Sequence, residues 1–219
     1  GDADAFITGL YTKYSNTIKV AKDVIGIRKG YNHFGTMHLI HSKKGVLFLA
    51  DTLINRHPDM ETMVDIAKLS ASTVRFFNRT PVMAMLSYSN FGSDKVGSPA
   101  SIHEAVAKMQ ESYPDLAIDG EMQVNFALDK KLRDDMYPFN KLNGKDVNTL
   151  VFPNLSSANS AYKLLLEMGV AETIGPIQMG LNKPIHFTDV ESSTRDIVNL
   201  TTVAVVDAIV QEQIEKRKA

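Results

Sequence analysis

The sequence has no cysteine, no surplus of basic charge and no long apolar run. Without cysteine, disulfides, thiolate metal sites and a cysteine nucleophile are excluded. The formal net charge of −1 argues against a nucleic-acid partner and against an anionic membrane surface. The longest apolar runs, such as residues 46–50 and 203–206, are far shorter than the roughly 18 residues that cross a bilayer. Because the first ten residues also lack a secretory signal, we expect a cytoplasmic protein without a membrane segment.

What the chain does contain predicts an α/β fold. Its 219 residues are more than one average domain needs, and 44% hydrophobic with 22% charged residues is an ordinary globular composition. The chain starts with Gly rather than Met, so we expect a fragment of a longer protein. Four short apolar segments bounded by polar or turn residues predict buried strands, at residues 37–41, 45–51, 81–87 and 148–154.

A helix is predicted between the second and third of these strands, within residues 57–77. Pro58 occupies its expected first position, and its apolar residues recur at steps of three and four: Met60, Met63, Val64, Ala67, Ala71 and Val74. A strand, a helix and a strand in succession make a βαβ unit, so we expect a mostly parallel sheet covered by helices.

Three further helices are predicted, at residues 99–112, 159–169 and 194–216. The second ends at Gly169, a residue typical of helix ends. The last has one apolar stripe, formed by Ile197, Thr201, Ala204, Val205, Ala208 and Ile209.

Two polar loops follow predicted strands and offer hydrogen-bond donors to an anion. The first contains Ser87, Ser89, Asn90 and Ser93, with free backbone N–H groups nearby. It lacks the Gly-Lys-Ser/Thr ending of a Walker loop, and a plain turn with local serine hydrogen bonds explains it equally well. Both interpretations stay open.

The second loop surrounds the start of the helix predicted from residue 159. Helix N-termini attract anions, and Lys163 in the first turns of this helix could reach a phosphate. The alternative is that Ser157 or Asn159 caps the helix and that Lys163 is simply exposed.

Other polar residues have plainer explanations. Asp119 and Glu121 flank Gly120, and a turn is the safer interpretation of this segment. His38 and His41 lie three apart in a predicted strand and so point to opposite faces, which predicts no metal site. Asp196 follows Ser193 by three residues, the pattern of a capping box before an apolar helix.

Several long segments together resemble one known family. They are NRTPVMAMLSYSNFGS, YPDLAIDGEMQVNFAL, VNTLVFPNLSSANSAYKLL and IGPIQMGLNKPIHFTDVESSTRDIV, which occur in the order found in phosphate acetyltransferases. The beginning of the chain and GVLFLAD also match, so the resemblance covers essentially the whole chain. It implies a two-domain, three-layer αβα fold similar to isocitrate and isopropylmalate dehydrogenases. Residues 34–176 would form the second domain, and residues 1–33 with 177–219 the remaining part of the first.

The departures from this family affect its catalytic residues. The family has a Ser-Arg pair where this chain has Asp189 and Val190, and an Arg where it has Lys19. The family's catalytic base, which acts on the CoA thiol, matches Asp196. A carboxylate at residue 189 would repel phosphate. Valine at residue 190 lacks the guanidinium N–H donors that arginine would offer to a phosphate. Efficient acetyl transfer is therefore not expected.

This combination is more similar to the phosphate acetyltransferase-like tail of large bacterial NADP-dependent malic enzymes. The resemblance implies a regulatory domain that senses acetyl-CoA and supports homodimers or higher homo-oligomers, made largely through the second domain. Malate oxidation, with NADP and Mg or Mn, would belong to the malic enzyme part of the same protein. No metal or nicotinamide site is expected in these residues. The alternatives are an active phosphate acetyltransferase that uses Asp196, and a purely structural dimerisation domain.

The residues expected to bind acetyl-CoA or CoA are taken from motif positions and helix ends. Those on one wall of the cleft are Ser87, Ser89, Asn90 and Ser93. Those on the other wall are Asn159, Tyr162, Lys163, Asn182, Lys183 and Asp189, with Lys19 added by its family position.

Overall fold

The computed structural model describes residues 2–9, 14–42, 45–169 and 171–218. Within these ranges the chain forms eight strands and seven helices. In chain order they are β1 (Phe6–Thr8), α1 (Tyr14–Ile25), β2 (Gly35–Ser42), β3 (Gly45–Ala50), α2 (Met60–Phe76), β4 (Val82–Leu86), α3 (Ser98–Ser112), β5 (Ala117–Met122), α4 (Val124–Leu128), α5 (Lys130–Met136), β6 (Thr149–Val151), α6 (Leu155–Glu167), β7 (Ala171–Met179), β8 (Ile185–Phe187) and α7 (Thr194–Lys218).

Six strands form the main sheet, in the order β5-β4-β6-β3-β2-β7. Strands β3, β6, β4 and β5 are parallel to one another, whereas β2 is antiparallel to both β3 and β7. The four predicted strands correspond to β2, β3, β4 and β6. The prediction of an α/β fold with a mostly parallel sheet is therefore confirmed. The likeness to isocitrate dehydrogenase stays a prediction.

Helices cover both faces of this sheet because successive strand residues point to opposite sides. Met83 and Met85 of β4 join the apolar core under α2 and α3. Ala84 and Leu86 of the same strand join a second core with residues of α4 and α6. Each face of the parallel strands is thus buried, as such strands require.

A second, two-stranded sheet pairs β1 with β8 in parallel. Ile18 of α1 packs on one of its faces, against Ile185 and Phe187. This sheet lies in the segments assigned above to the first domain. The proposed boundary between residues 176 and 177 falls inside β7, and the division into two domains stays a prediction.

The helices α2 and α3 form largely as the apolar spacing predicts. Asp59 caps α2 by accepting a hydrogen bond from the Thr62 N–H at 2.8 Å, so Pro58 precedes the cap instead of opening the helix. The inward residues of α3 are all buried, namely Ile102, Ala105, Val106 and Met109.

The predicted start of α6 is wrong by four residues. The helix begins at Leu155, and Asn154 is its cap, since its side-chain oxygen accepts from the Ser157 N–H at 3.0 Å. Neither Ser157 nor Asn159 is the cap. Asparagine directly after a buried strand was a sufficient signal for this earlier start.

The predicted apolar stripe of α7 is wrong for most of its members. Leu200, Val203 and Ala204 are the buried residues, whereas Val205 and Ile209 are about half exposed. Apolar residues occupy more than one face of this helix, so periodicity alone did not identify the inner one. The span Thr194–Arg217 is long and apolar enough to cross a membrane by length and composition, but its Leu200 face packs on the rest of the protein.

The prediction of a turn around Asp119 and Glu121 is also wrong. Both residues lie in β5, where Asp119 is 7% and Glu121 0% exposed. Asp119 accepts hydrogen bonds from the Lys141 N–H and from the Gln110 side chain, at 2.6 and 3.1 Å. Carboxylates in a strand are tolerated here because buried donors satisfy them.

Candidate functional site

The loop 188–193 lies beside α6 and brings several predicted ligand residues together. Lys163 of α6 is 3.6 Å from a Glu191 carboxylate oxygen. Arg195, in the first turn of α7, donates two hydrogen bonds to Glu172 of β7, at 3.1 and 2.7 Å. We call this region the α6–α7 junction; its polar residues are Asn159, Tyr162, Lys163, Glu172, Asp189, Glu191, Arg195 and Asp196.

Tyr162 forms the inner wall of the junction. Its ring stacks on that of His38, with centroids 3.8 Å apart. Burial raises the pKa of the Tyr162 hydroxyl, and the negative charges of Asp196 and Asp189 add to the rise, against a hydrogen bond with Thr173. The phenol is therefore neutral at physiological pH and can act as a hydrogen-bond donor.

His38 supports this wall as an uncharged group. Its Nδ1 lies 2.8 Å from the Thr52 hydroxyl oxygen. Burial, and less strongly the charge of Lys163, lower the pKa of His38 to about 3. The ring contributes no positive charge at neutral pH, and this leaves the cationic character of the junction to Lys163 and Arg195.

Among the residues that the structure describes, the junction contains four carboxylates, those of Glu172, Asp189, Glu191 and Asp196, and two cations, Lys163 and Arg195. Arg195 is already paired with Glu172, and Lys163 lies beside Glu191. At the position next to Asp189, the Val190 side chain is 74% exposed. Glu191 therefore competes with any bound phosphate for the charge of Lys163.

Asp196 forms the capping box that its spacing predicts. Its Oδ2 accepts from the Ser193 N–H at 2.8 Å and from the Ser193 hydroxyl at 2.7 Å. The Asp196 N–H in turn donates to the Ser193 oxygen at 3.2 Å. A structural role of Asp196 is confirmed, and the role of catalytic base stays a prediction.

The loop of residues 87–93 is organised around a buried carboxylate. Glu121 Oε1 accepts from the Ser89 hydroxyl at 2.8 Å and from the Gly92 N–H at 2.7 Å, while Oε2 lies 3.3 Å from His103 Nδ1. The Ser93 hydroxyl oxygen accepts from the Asn90 N–H at 3.0 Å and lies 2.8 Å from the Ser89 hydroxyl oxygen. The donors expected to hold an anion are thus largely engaged within the protein.

The same loop lies far from the α6–α7 junction. Ser87, Ser89, Asn90 and Ser93 follow β4, which is three strand spacings, about 14 Å, from β2, whose His38 stacks on Tyr162. The structure does not place these four residues in one site with Tyr162 and Lys163. Their role in binding stays a prediction.

Asn182 and Lys183 also lie away from the junction. Asn182 donates its side-chain N–H to the Ile25 carbonyl at 2.9 Å. Lys183 is 3.6 Å from Glu215 in the last turns of α7. About 28 Å of helix separates Glu215 from Asp196, at 1.5 Å per residue. These two residues therefore do not share a site with Asp196 in this structure.

The remaining predicted residues are Lys19 and Asn159. Lys19 is exposed on α1, without a hydrogen bond or ion pair to any part of the chain that the structure describes. Asn159 is half-buried, one helical turn before Lys163. Asn159 therefore lies on the same face of α6 as Lys163, near the junction, whereas Lys19 is on a different helix.

Sequence reasoning gave His38 and Glu121 only structural roles and did not single out Glu172, Glu191 or Arg195. Glu191 and Arg195 were present in the motif, but their partners come from distant elements and left no local pattern. Across residues 2–9, 14–42, 45–169 and 171–218, no group of three His, Asp or Glu side chains is placed to hold a metal ion.

The buried histidines predict a loss of stability in acid. Burial holds the pKa of His38 near 3 and that of His186 near 4, whereas both titrate near 6.5 when unfolded. The unfolded chain therefore binds more protons as the pH falls below 6.5, and each ring should cost about 2 kcal/mol of unfolding free energy by pH 5. Urea unfolding at pH 7.5 and 5.0 measures this loss. His186→Asn should reduce it by about 2 kcal/mol; an unchanged loss would contradict the assignment.

Comparisons with known proteins agree with this architecture. The family model for phosphate acetyl/butaryl transferases matches residues 1–205. The chain is 40% identical to an NADP-dependent malic enzyme of Salmonella typhimurium over 95% of its own length, but spans only 27% of that protein. It is 30% identical to a phosphate acetyltransferase of Bacillus subtilis, of which it spans 64%.

Solved structures show the same likeness. A phosphotransacetylase from Streptococcus pyogenes superposes with a TM-score of 0.89 at 32% identity, over 95% of this chain and 64% of that one. The EutD phosphotransacetylase from Staphylococcus aureus gives a TM-score of 0.86 at 29% identity, over the same shares of the two chains. The chain belongs to the phosphate acetyl/butaryl transferase family.

Proposed function

We propose that this chain is the acetyl-CoA-sensing and oligomerisation domain of a cytoplasmic NADP-dependent malic enzyme, and that its acetyl-transfer site is degenerate. The oxidative decarboxylation of malate to pyruvate, with NADP and Mg or Mn, is assigned to the rest of that protein. Support comes from the malic enzyme of Salmonella typhimurium, which is 40% identical to almost the whole chain.

The observation that carries the proposal is the charge of the α6–α7 junction. Asp189 and Val190 stand where phosphate acetyltransferases have serine and arginine, and Glu191 adds a further carboxylate beside Lys163. Removing one group that stabilises developing charge lowers the rate of such reactions by about 10² to 10³. Two such losses leave a site suited to binding rather than to turnover.

Lys163 is the residue best placed to meet a phosphate of acetyl-CoA. Its partner is Glu191, and the two side chains are 52% and 77% exposed. Exposed ion pairs of this kind contribute only about 0–1 kcal/mol, so a ligand phosphate can replace Glu191 at little cost. Tyr162 and Asn159 would then supply hydrogen bonds from the same helix.

Replacing Lys163 by Met should weaken regulation by acetyl-CoA in the full-length protein. A lost charge-assisted contact costs about 1.5–3 kcal/mol, so the concentration of acetyl-CoA for half-maximal effect should rise at least about tenfold. The measurement is the rate of malate oxidation against acetyl-CoA concentration. Lys131→Met, at a surface residue that is 87% exposed, is the matched control. If the rate of malate oxidation by the unmutated full-length protein does not change with acetyl-CoA, the sensor function is wrong.

The second candidate function is an active phosphate acetyltransferase. Asp196, the match to the family's base, is present at the start of α7 and only half-buried. The 30% identity to the Bacillus subtilis phosphate acetyltransferase favours this alternative as well. A direct assay of acetyl phosphate formation separates the two functions.

Self-association is the remaining part of the proposal, and the second domain offers a surface for it. Leu128, Met136 and Phe139 are 55%, 59% and 69% exposed around α4 and α5. Apolar side chains exposed together mark interaction surfaces. We expect Met136→Asp with Phe139→Asp to lower the oligomeric state measured by light scattering, whereas Val24→Asp, at an equally exposed residue of α1, should not. An unchanged mass in the double variant would exclude this surface.

A further inference from the structure

A cavity of about 730 Å³ lies along the second half of α7 and has no lining residue from the loop 188–193. It is bounded by the second half of α2, by the end of β7 with the following residues 180–184, and by the second half of α7. Sites for small molecules usually measure about 300–1,000 Å³, so the cavity has room for an organic ligand. Of the residues expected to bind acetyl-CoA, only Asn182 and Lys183 line it, and Tyr162, Lys163 and Asp189 do not.

His186 is the buried polar group in its wall. Its neighbours Ile185 and Phe187 point toward α1, so strand alternation turns His186 to the other face of the small sheet, toward α7 and the cavity. The side chain is 2% exposed, and its Nε2 has no hydrogen-bond partner.

The protonation state of this ring follows from its other nitrogen. Nδ1 accepts a hydrogen bond from the Gln178 N–H at 3.1 Å, so the single proton of the neutral ring is on Nε2. Burial lowers the pKa of His186 to about 4, which keeps the ring neutral. Nε2–H is thus a buried donor without an acceptor, a costly arrangement that a bound acceptor would relieve.

Positive charge surrounds the same cavity. Arg28, Lys29, Arg75 and Lys183 contribute to its walls, against two acidic residues. Lys183 is balanced by Glu215, and Asp207 lies within electrostatic range of Arg28. Arg75 on α2 and Lys29 remain without a matching carboxylate in the cavity wall. The balance favours a singly charged anion over a phosphate dianion, which the two acids would repel.

The rest of the wall is apolar. Leu69 and Phe76 of α2 face Val210 and Ile214 of α7 across the cavity. Such a wall gains from burying a hydrocarbon body, at about 25 cal/mol per Å² of apolar surface. A ligand that matches both parts of the wall therefore has an anionic hydrogen-bond acceptor at one end and an apolar chain at the other.

We propose that this cavity binds a small organic carboxylate with an apolar body, whose oxygens accept from His186 Nε2–H and pair with Arg75. Guanidinium forks match carboxylate geometry, which is why arginine fits this role. The site is separate from the α6–α7 junction, and it does not depend on the acetyl-CoA function.

The test is a calorimetric titration of hexanoate into the full-length protein. We expect saturable binding, about tenfold weaker in His186→Asn, because the asparagine oxygen can still accept from the Gln178 N–H while the Nε2–H donor is lost. Arg75→Gln should weaken binding by a similar factor. No saturable binding, or equal affinity in the parent and both variants, would overturn the site.

Two comparisons define the ligand and its location. Hexanamide and inorganic phosphate should each bind much more weakly than hexanoate, since one lacks the charge and the other the apolar body. Equal binding of either would overturn the carboxylate assignment. Lys163→Met should leave hexanoate affinity unchanged, and a loss in this variant would place hexanoate at the junction instead.

Discussion

Replacing Asp189 by Ser and Val190 by Arg in one variant is expected to raise the rate of acetyl transfer at least about 100-fold over the parent protein. The serine removes a carboxylate from the α6–α7 junction, and the arginine restores a fork of donors for phosphate. Val190 is 74% exposed, so the larger side chain fits without displacing the core. The rate is measured as acetyl phosphate formed from acetyl-CoA and inorganic phosphate.

Two controls separate restored chemistry from a general gain in binding. Asp189→Ser alone removes the repulsion but supplies no fork, so it should recover only part of the increase. Adding Asp196→Asn to the double variant should abolish the gain if Asp196 is the base. A folded double variant that binds acetyl-CoA but transfers acetyl no faster than the parent would show that these two positions do not account for the lost activity.

Glu121→Ala should lower the free energy of unfolding by about 3–5 kcal/mol. The Glu121 carboxylate is fully buried and accepts from the Ser89 hydroxyl and the Gly92 N–H. Alanine removes the acceptor of both donors, leaves the part-buried Gly92 N–H without that partner and opens a cavity beneath the loop 87–93. Urea unfolding of the parent and the variant at pH 7.5 measures the difference.

Glu121→Gln is the matched variant, because both donors bind the same oxygen, Oε1. Glutamine keeps that oxygen and loses only the charge, so its cost should be about 1 kcal/mol. Equal destabilisation by alanine and glutamine would mean that the charge, rather than the two hydrogen bonds, holds the loop. An anion-binding role for Ser89 and Ser93 would then regain support.

Three of the four parallel strands and two of the helices could be predicted because their signals are local. The runs that form β3, β4 and β6 are short, apolar and bounded by polar residues, as strands buried on both faces must be. In α2 and α3 the apolar residues recur on one face, and the same residues are buried. Local patterning was sufficient wherever one face of an element meets one core.

The small sheet could not be predicted, since β1 and β8 have three residues each and pair across nearly the whole chain. In α7, apolar residues occur on several faces, so their spacing did not identify the face that is buried. Asp119 and Glu121 indicated a turn by their charge, but donors from other segments make a strand possible. These failures share one cause: the deciding partner is remote in sequence.

The candidate site divides in the same way. The capping box of Ser193 and Asp196 is local and is confirmed. The proximity of Lys163 to Glu191 depends on how two helices pack, and no spacing in the sequence encodes it. The separation of Lys183 from Asp196 is hidden for the same reason, since the two lie close in sequence but near opposite ends of α7.

The most direct test is a calorimetric titration of acetyl-CoA into the full-length protein, paired with an assay of acetyl phosphate formation on the same sample. Saturable binding, a changed rate of malate oxidation and no measurable acetyl transfer are the results that the sensor function predicts. Acetyl transfer at a rate typical of enzymes, about 1–10³ per second, would contradict it and identify the chain as a working phosphate acetyltransferase.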